Sequence, residues 1–550
     1  MYAGIMSYKI VMKVVIFVLT ISMVSAANGF NPDVFLPTNK IIQRHHYPCE
    51  GHEVRTEDNY LLTLHRIPRG RNPDADLPSQ DLDLSSQDPD LPSQKLDDAE
   101  NILGTTAPPK KKKSPVYLQH GILGSSADWI IHGPEKSLAY MLADQGHDIW
   151  LGNVRGNTYS RGHATLSPDD VAFWNFTFHE MAIYDAAATI DYILDVSGSD
   201  ELYYIGHSMG TTIFWVLCSM RPEYNSKIKM MFSLAPIGFM SNARSPIRYF
   251  APYAKDIELI SRWFGDGEFL PRNALINFVM KYGCEISALE AKICENNLFI
   301  ICGHDPEQFE KELLPIIFGH TPAGTSTKAL AHYAQLIQSG YFRAFDYGLP
   351  GNMIEYGEIT PPSYNLSLIT APVSLHFSDN DLLANTKDVK KLAMALPNLI
   401  GSFRVAFPQF NHLDFLYSKD INSLLNENIM NMIHKSESGI TPRFNMDPEE
   451  IIIPNEDEDP VFNDISSLLK HKAYSIGKET LDNVMDLKMM TERKLKMIKE
   501  KTRMTIERNL KSLKDLLMLK LKKYSTGDSY GENKQIEFRN DAEKYNDLSS

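Results

Sequence analysis

Cysteine is scarce in this chain, which has five cysteines among its 550 residues. Five are too few to hold together a disulfide scaffold, and the odd number leaves at least one unpaired within the chain. A basic surplus is also lacking, since 55 lysines and arginines face 69 aspartates and glutamates. The net charge of −14 argues against nucleic-acid binding as a property of the whole chain. With 43% hydrophobic residues, the chain can form one large enzymatic domain or two or three smaller ones.

Long hydrophobic runs are equally rare, and the one near the N-terminus is short. Lys9 and Lys13 precede and enter an apolar run over residues 14–21, and small residues follow at 25–27. This order is typical of a cleavable secretory signal peptide, which we predict over residues 1–27. The alternative is a membrane anchor, which needs about 20 apolar residues and therefore a longer run. We expect a secreted or lysosomal protein.

Two Asn-x-Ser/Thr triplets agree with the secretory route. They begin at Asn175 and Asn365, which are predicted N-glycosylation sites. Such triplets also arise by chance.

Two segments differ in composition from the rest of the chain. Residues 76–96 are three tandem heptapeptides rich in Asp, Ser, Pro and Gln, and four lysines follow at 110–113. Because prolines exclude a helix there, we predict a disordered surface insertion over residues 72–113. Residues 436–550 are a predicted C-terminal extension that contains an acidic stretch at 456–459.

Short apolar runs alternate with helical patterns through the remaining sequence. The predicted strands are Val116–Leu118, Asp148–Leu151, Leu202–Ile205, Met230–Leu234, Val373–Phe377 and Phe403–Phe407. This alternation predicts an α/β fold with a mostly parallel, doubly wound sheet and with chemistry at the carboxyl ends of its strands. Helical patterns replace the alternation over residues 237–365, which we predict to be an inserted helical cap. The core is therefore expected in two parts, residues 39–236 and 366–435.

The most informative motif is Gly206-His207-Ser208-Met209-Gly210, between a predicted strand and a predicted helix. A nucleophile elbow needs this context, because its turn is so tight that both flanking positions need glycine. Without the strand and the helix the motif is weak, and the alternative is a tight turn with no chemistry. We predict Ser208 as a nucleophile.

A serine hydroxyl needs a base to take its proton, and the elbow fold places an acid and then a histidine later in the chain. Asp381 and His412 follow predicted strands in that order. Asp379 competes with Asp381 for the role of the acid, and Asp414 is a weaker competitor. Histidine alone carries little information among 17 histidines, so order and placement single out His412.

The oxyanion of the tetrahedral intermediate needs preorganised N–H donors. One is predicted to be the backbone N–H of Met209, immediately after the nucleophile. The other is predicted in the loop after His120-Gly121, most simply the N–H of Ile122. A metal site at His304, beside Cys302 and Asp305, is disfavoured because the spacing is not that of zinc ligands, and we predict no metal and no cofactor.

Many further stretches resemble the acid lipase family that includes gastric lipase and lysosomal acid lipase, and its insect members in particular. They include LQHGILGSSADW, DIWLGNVRGNTYSRGH, GHSMGTT, FIICGHDP, HTPAGTS, NDLLANTKDV and FNHLDFLY. They are collinear from about residue 39 to residue 435. The family usually has Gln after the nucleophile, where this chain has Met209, but the backbone N–H is unaffected by that change.

The resemblance implies an α/β-hydrolase fold with a mobile lid in its cap. It implies a triad of Ser208, Asp381 and His412, and substrates among triacylglycerols, cholesteryl esters or similar neutral lipids. It also implies a cap disulfide between Cys284 and Cys294. Alternative functions are an esterase or thioesterase for smaller substrates and a non-catalytic lipid-binding protein, against which the complete Ser, Asp and His set argues.

The C-terminal extension contains a basic amphipathic segment that the resemblance does not cover. Residues 488–523 include 13 basic and 4 acidic residues, and Leu510, Leu513 and Leu517 lie on one helical stripe. Such a helix can contact an anionic membrane or a lipid droplet, pair with another helix, or remain a solvated tail. The sequence leaves these three alternatives open.

Overall fold

The computed structural model describes residues 31–71, 113–249, 267–269, 298–440 and 451. All of them belong to the first of two compact units, residues 1–458. The predicted signal peptide, residues 72–112 of the insertion and the basic helix lie outside the described residues, as do Cys284 and Cys294. The three described cysteines, Cys49, Cys218 and Cys302, are unpaired.

The strands come in chain order. They are β1 (Glu50–Arg55), β2 (Tyr60–Ile67), β3 (Val116–Gln119), β4 (Ile149–Leu151), β5 (Gly162–His163), β6 (Leu202–His207), β7 (Ile228–Leu234), β8 (Glu268–Phe269), β9 (Thr325–Ser326), β10 (Val373–Phe377) and β11 (Leu399–Arg404).

A nine-stranded sheet organises the described core, in the order β1-β2-β4-β3-β6-β7-β10-β11 with β5 paired to β2. Strands β4, β3, β6, β7, β10 and β11 run parallel, whereas β1, β2 and β5 add antiparallel pairs at one side. Strands β8 and β9 form a separate antiparallel pair. The predicted α/β class with a mostly parallel sheet is confirmed.

The α-helices flank these strands. They are α1 (Thr38–Arg44), α2 (Leu138–Asp144), α3 (Phe178–Glu180), α4 (Ala187–Ser197), α5 (Met209–Met220), α6 (Leu314–His320), α7 (Thr327–Ser339), α8 (Gly348–Glu355), α9 (Thr386–Ala395), α10 (Asp414–Tyr417) and α11 (Glu427–Glu437). A π-helical turn, Met181–Ala186, joins α3 to α4, and a second one, Asn422–Asn426, precedes α11.

The central strands are buried on both faces. Every residue of β3, β6 and β10 is buried, and so are eleven of the twelve residues of α5. Parallel strands covered by helices on both sides lack the polar alternation of a half-exposed sheet, which explains their continuous apolar runs. The buried β6–α5 unit holds the turn at Ser208 in the interior of the core.

One predicted strand is displaced. The sequence indicated Phe403–Phe407, whereas β11 is Leu399–Arg404 and pairs with β10. Gly401 and Ser402 are buried in the true strand, but they interrupt its apolar pattern, so the pattern did not show where the strand begins. The prediction was wrong by about four residues at the start of the strand.

The predicted cap, residues 237–365, is described only in part. Its described residues contain helices α6, α7 and α8 and the short β8–β9 pair, and none of them joins the large sheet. The predicted end of the core at residue 435 lies within α11, which continues to Glu437. No helix among the described residues is long and apolar enough to span a membrane.

Candidate active site

Ser208 lies in a strained turn between β6 and α5. Its φ of 52° is in the left-handed region, which non-glycine residues rarely adopt. A Cβ atom on Gly206 would come within 2.8 Å of the Gly210 backbone, and one on Gly210 within 2.3 Å of the Gln119 carbonyl oxygen. Both neighbours of the turn therefore have no room for a side chain, as an elbow requires.

Ser208, His412 and Asp381 form a continuous hydrogen-bonded series. The Ser208 Oγ lies 2.8 Å from His412 Nε2, and His412 Nδ1 lies 2.8 Å from Asp381 Oδ2. The second carboxylate oxygen of Asp381 accepts hydrogen bonds of 2.8 Å from the N–H groups of Leu383 and Ala384. All three side chains are buried, so the series can move a proton from the Ser208 hydroxyl to His412 away from bulk water.

The carboxylates of the two competing aspartates form hydrogen bonds with groups other than His412. The Asp379 carboxylate accepts hydrogen bonds from Thr386 and Arg404 and remains partly exposed. Asp414 accepts the N–H of Asn411 at 2.6 Å. Burial, and then the nearby charge of Asp305, raise the pKa of Asp414 well above its ordinary value, so the neutral acid is favoured there.

A segment that the sequence analysis weighed only as a metal site lies against the catalytic side chains. The Cys302 carbonyl accepts the N–H of His412 at 3.2 Å, and the His304 carbonyl accepts the Asn380 amide at 3.1 Å. Gly303 lies between them with φ of 121°, where a Cβ would meet the Asn380 carbonyl oxygen at 2.1 Å. These residues brace the loops of Asp381 and His412, and the FIICGHDP stretch was the only available signal for them.

His207, inside the elbow motif, was also missed. Its Nε2 lies 2.9 Å from the carbonyl oxygen of His412, which can only accept, so this nitrogen carries the proton. Burial lowers the pKa of His207 to about 3, so the ring is neutral. His207 thus ties the histidine loop to the elbow without adding charge beside His412.

The segments that carry the two predicted oxyanion donors lie beside Ser208. Met209 is the first residue of α5, where backbone N–H groups have no partner within the helix. Ile122 lies in the loop after β3, and a Cβ on Gly121 would be 3.2 Å from Ser208 Cβ. The loop carrying Ile122 therefore passes directly beside the nucleophile.

Comparisons with known proteins agree with this architecture. Residues 38–133 match the family described as a partial alpha/beta-hydrolase lipase region, and residues 114–266 match the alpha/beta hydrolase fold. Lipase 1 of Drosophila melanogaster is 36% identical over 76% of this chain and 84% of its own length. The gastric triacylglycerol lipase of Rattus norvegicus is 39% identical over 71% of this chain and 89% of its own length. The chain belongs to the acid lipase family.

A human relative, lipase member K, is 36% identical over 72% of this chain and 89% of its own length. Membership of the acid lipase family makes the chain an enzyme of the serine ester hydrolase class, as predicted. The two matched regions of this acid lipase contain Ile122, Ser208 and Met209, while Asp381 and His412 follow them in the chain.

Proposed function

We propose that this acid lipase hydrolyses the carboxylic ester bonds of neutral lipids, triacylglycerols or cholesteryl esters, through an acyl-enzyme on Ser208. The observation that carries the proposal is the position of His412, whose two ring nitrogens each lie 2.8 Å from a partner, Ser208 Oγ and Asp381 Oδ2. The printed name of the rat relative, a triacylglycerol lipase, supports the class of substrate.

In the proposed reaction, Ser208 Oγ attacks the ester carbonyl carbon while His412 Nε2 takes the hydroxyl proton. Asp381 holds the imidazole in the tautomer with Nδ1 protonated and stabilises the imidazolium that forms. The C–O bond to the alcohol then breaks, and His412 returns the proton to the departing alcohol. Water, activated by the same histidine, releases the fatty acid and regenerates Ser208.

The N–H groups of Met209 and Ile122 stabilise the carbonyl oxygen as it becomes negative. Each such donor is worth about 3 kcal/mol of the barrier. The Met209 N–H benefits in addition from the positive end of the α5 dipole. Methionine at position 209, where the family usually has glutamine, leaves the backbone donor unchanged.

Ser208→Ala tests the proposal directly. The variant should remain folded, since it removes one oxygen atom, and should hydrolyse a soluble short-chain ester at less than about a hundredth of the parent rate. A rate above that value would refute the assignment of Ser208 as the nucleophile. A panel of triacylglycerol, cholesteryl ester and short-chain ester substrates, assayed between about pH 4 and pH 8, then separates a lipase from a small-ester esterase. A protein that binds these lipids but hydrolyses none would be a carrier.

We further infer that the enzyme travels the secretory route and is N-glycosylated at Asn175 and Asn365. Both side chains are exposed, as an attached glycan requires. The Cys284–Cys294 disulfide and the contact of the basic C-terminal helix with membranes or lipid droplets stay predictions, because these residues lie outside the described part of the chain. Peptide mass spectrometry before and after glycosidase treatment tests the two glycosylation sites.

A further inference from the structure

The Gly121 carbonyl is held by two hydrogen bonds. His120 Nδ1 lies 2.7 Å from this oxygen, and the N–H of Gly124 donates to it at 3.2 Å. The peptide bond that carries this carbonyl is also the one that carries the Ile122 N–H. In a planar trans peptide the C=O and N–H bonds point in opposite directions, so fixing the carbonyl aims the N–H.

The direction of the His120 hydrogen bonds follows from the neighbouring turn. Asn157 Oδ1 accepts the backbone N–H groups of Tyr159 and Ser160, so its Nδ2 must face His120 Nε2, at 3.2 Å. The Val154 N–H also points at His120 Nε2, at 3.2 Å. Two donors facing Nε2 require that nitrogen to be the bare acceptor, which leaves the proton on Nδ1.

We propose that His120 is a positioning residue for ester hydrolysis: its Nδ1–H holds the Gly121 carbonyl and thereby aims the Ile122 N–H at the oxyanion. This inference rests on the proposed function, in which Ile122 is an oxyanion donor. His120 acts through the peptide bond and does not touch the substrate. Asn157 and the Val154 N–H set its tautomer from the loop after β4.

The surroundings of His120 keep this arrangement in one state. The side chain is 1% exposed, and burial lowers the pKa of its imidazole to about 4. The ring therefore stays neutral above about pH 5, and Nε2 remains an acceptor. On the far side of the loop, the Leu123 carbonyl accepts the Ala323 N–H at 2.6 Å. Hydrogen bonds at the Gly121 and Leu123 carbonyls therefore hold the loop in place around Ile122.

The test compares His120→Leu, His120→Asn and a matched control, His147→Leu, in the full-length protein. His147 is also 1% exposed and its Nδ1 contacts a backbone carbonyl, that of Ser114, at 3.0 Å. His147 and Ser114 precede β4 and β3, so they lie at the opposite ends of these strands from the site. Asparagine at position 120 can present its Nδ2–H where the histidine presents Nδ1–H, whereas leucine cannot.

With a soluble short-chain ester, His120→Leu should lower kcat about 100-fold and leave KM unchanged, because the oxyanion exists only in the transition state. The inhibition constant of an alkyl trifluoromethyl ketone, which forms a tetrahedral oxyanion on serine, should rise in proportion. His120→Asn should recover at least about tenfold of the lost kcat. His147→Leu should lower Tm but retain the parent kcat.

Three results would each overturn the proposal. They are a kcat for His120→Leu within about threefold of the parent, an equal loss of kcat in His147→Leu, and no recovery of kcat in His120→Asn. If His120→Leu does not fold, ¹⁵N NMR of the imidazoles in the parent enzyme decides, with the His120→Asn spectrum assigning the signal. A protonated Nδ1 and a bare Nε2 at neutral pH support it, and the opposite tautomer overturns it. An active Ser208→Ala would instead refute the proposed function and leave the tautomer measurement unaffected.

Discussion

The two sides of the active site are built differently. On one side, the elbow at Ser208 and the turn at Asp381 are held by residues next to them in sequence: Gly206 and Gly210 flank the serine, and the Leu383 and Ala384 N–H groups bind the carboxylate. On the other side, the oxyanion loop has local hydrogen bonds at Gly121, but both this loop and His412 are also held by distant segments. Ala323 binds the carbonyl of Leu123, and the Cys302 carbonyl binds the His412 N–H.

This difference separates local from long-range determinants of the same site. Tight turns with no room for a Cβ must be encoded by nearby glycines, and so they tolerate few changes near the nucleophile. Groups held by distant segments depend instead on the correct packing of residues 298–326 against the sheet. Substitutions in the two regions should therefore fail in different ways.

The largest effect is expected on the locally held side, from Asp381→Asn. An amide in place of the carboxylate permits the wrong histidine tautomer, and kcat should fall about 10⁴-fold. Asp379→Asn is the matched control, because Asp379 binds Arg404 and Thr386. This variant should retain most of the activity. Steady-state kinetics on a soluble ester measures both, and the reverse ranking would assign the acid to Asp379.

Gly210→Ala should disrupt the elbow itself. Its Cβ would lie 2.3 Å from the Gln119 carbonyl oxygen, a contact with rigid backbone that cannot relax. We expect a loss of more than about 3 kcal/mol in the free energy of unfolding, or no folded protein. Gly51→Ala in β1 meets nothing within 4 Å and should leave stability unchanged, as urea unfolding would show. Equal stability of the two variants would contradict the requirement for glycine at position 210.

On the side held by distant segments, Asp128→Asn should change how stability depends on pH. Asp128 Oδ2 accepts the Ser125 N–H at 3.3 Å at the end of the oxyanion loop, and burial raises the pKa of this carboxyl to about 7. A raised folded-state pKa gives stability that is complete below about pH 4 and is lost as pH rises through 7. Asparagine stays neutral, so it avoids this loss, which we expect to be a few kcal/mol.

The difference in Tm between Asp128→Asn and the parent should therefore grow from pH 4 to pH 8. Asp185→Asn is not a suitable control, because Asp185 pairs with the buried Arg155. Asp144→Asn, near the protein surface, is a suitable control. Its effect on Tm should not grow with pH as that of Asp128→Asn does. A constant difference for Asp128→Asn would show that its carboxyl ionises normally in the folded protein.

The smallest effect is expected from truncation after Glu458, which removes the basic segment and neither side of the active site. Hydrolysis of a soluble short-chain ester should be unchanged. Binding to phosphatidylcholine vesicles containing phosphatidylserine should weaken at low salt, and the difference should shrink as salt rises, since each basic residue contributes about 1 kcal/mol near an anionic surface. Equal co-sedimentation of the two forms at low salt would exclude membrane contact by the basic segment. Helix pairing or a solvated tail would then remain as its role.

The sequence predicted the locally held side far better than the other. The glycines of the Gly206–Gly210 motif and the order of Ser208, Asp381 and His412 are visible without coordinates, because a sharp turn and its glycines are neighbours in the chain. The hydrogen bonds between Ala323 and Leu123 and between Cys302 and His412 are not visible in the sequence, since each joins residues more than 100 positions apart. The displaced strand β11 has a similar cause, because burial of Gly401 and Ser402 depends on their neighbours in the sheet.

The central claim is that Ser208 is the nucleophile, and covalent labelling tests it most directly. A fluorophosphonate forms a bond from the serine oxygen to phosphorus as fluoride leaves, and it requires an activated serine. After treatment of the parent enzyme and of Ser208→Ala, peptide mass spectrometry should find one phosphonylated residue, Ser208, in the parent and none in the variant. Labelling at another serine, or no labelling of an enzyme that hydrolyses esters, would contradict the account.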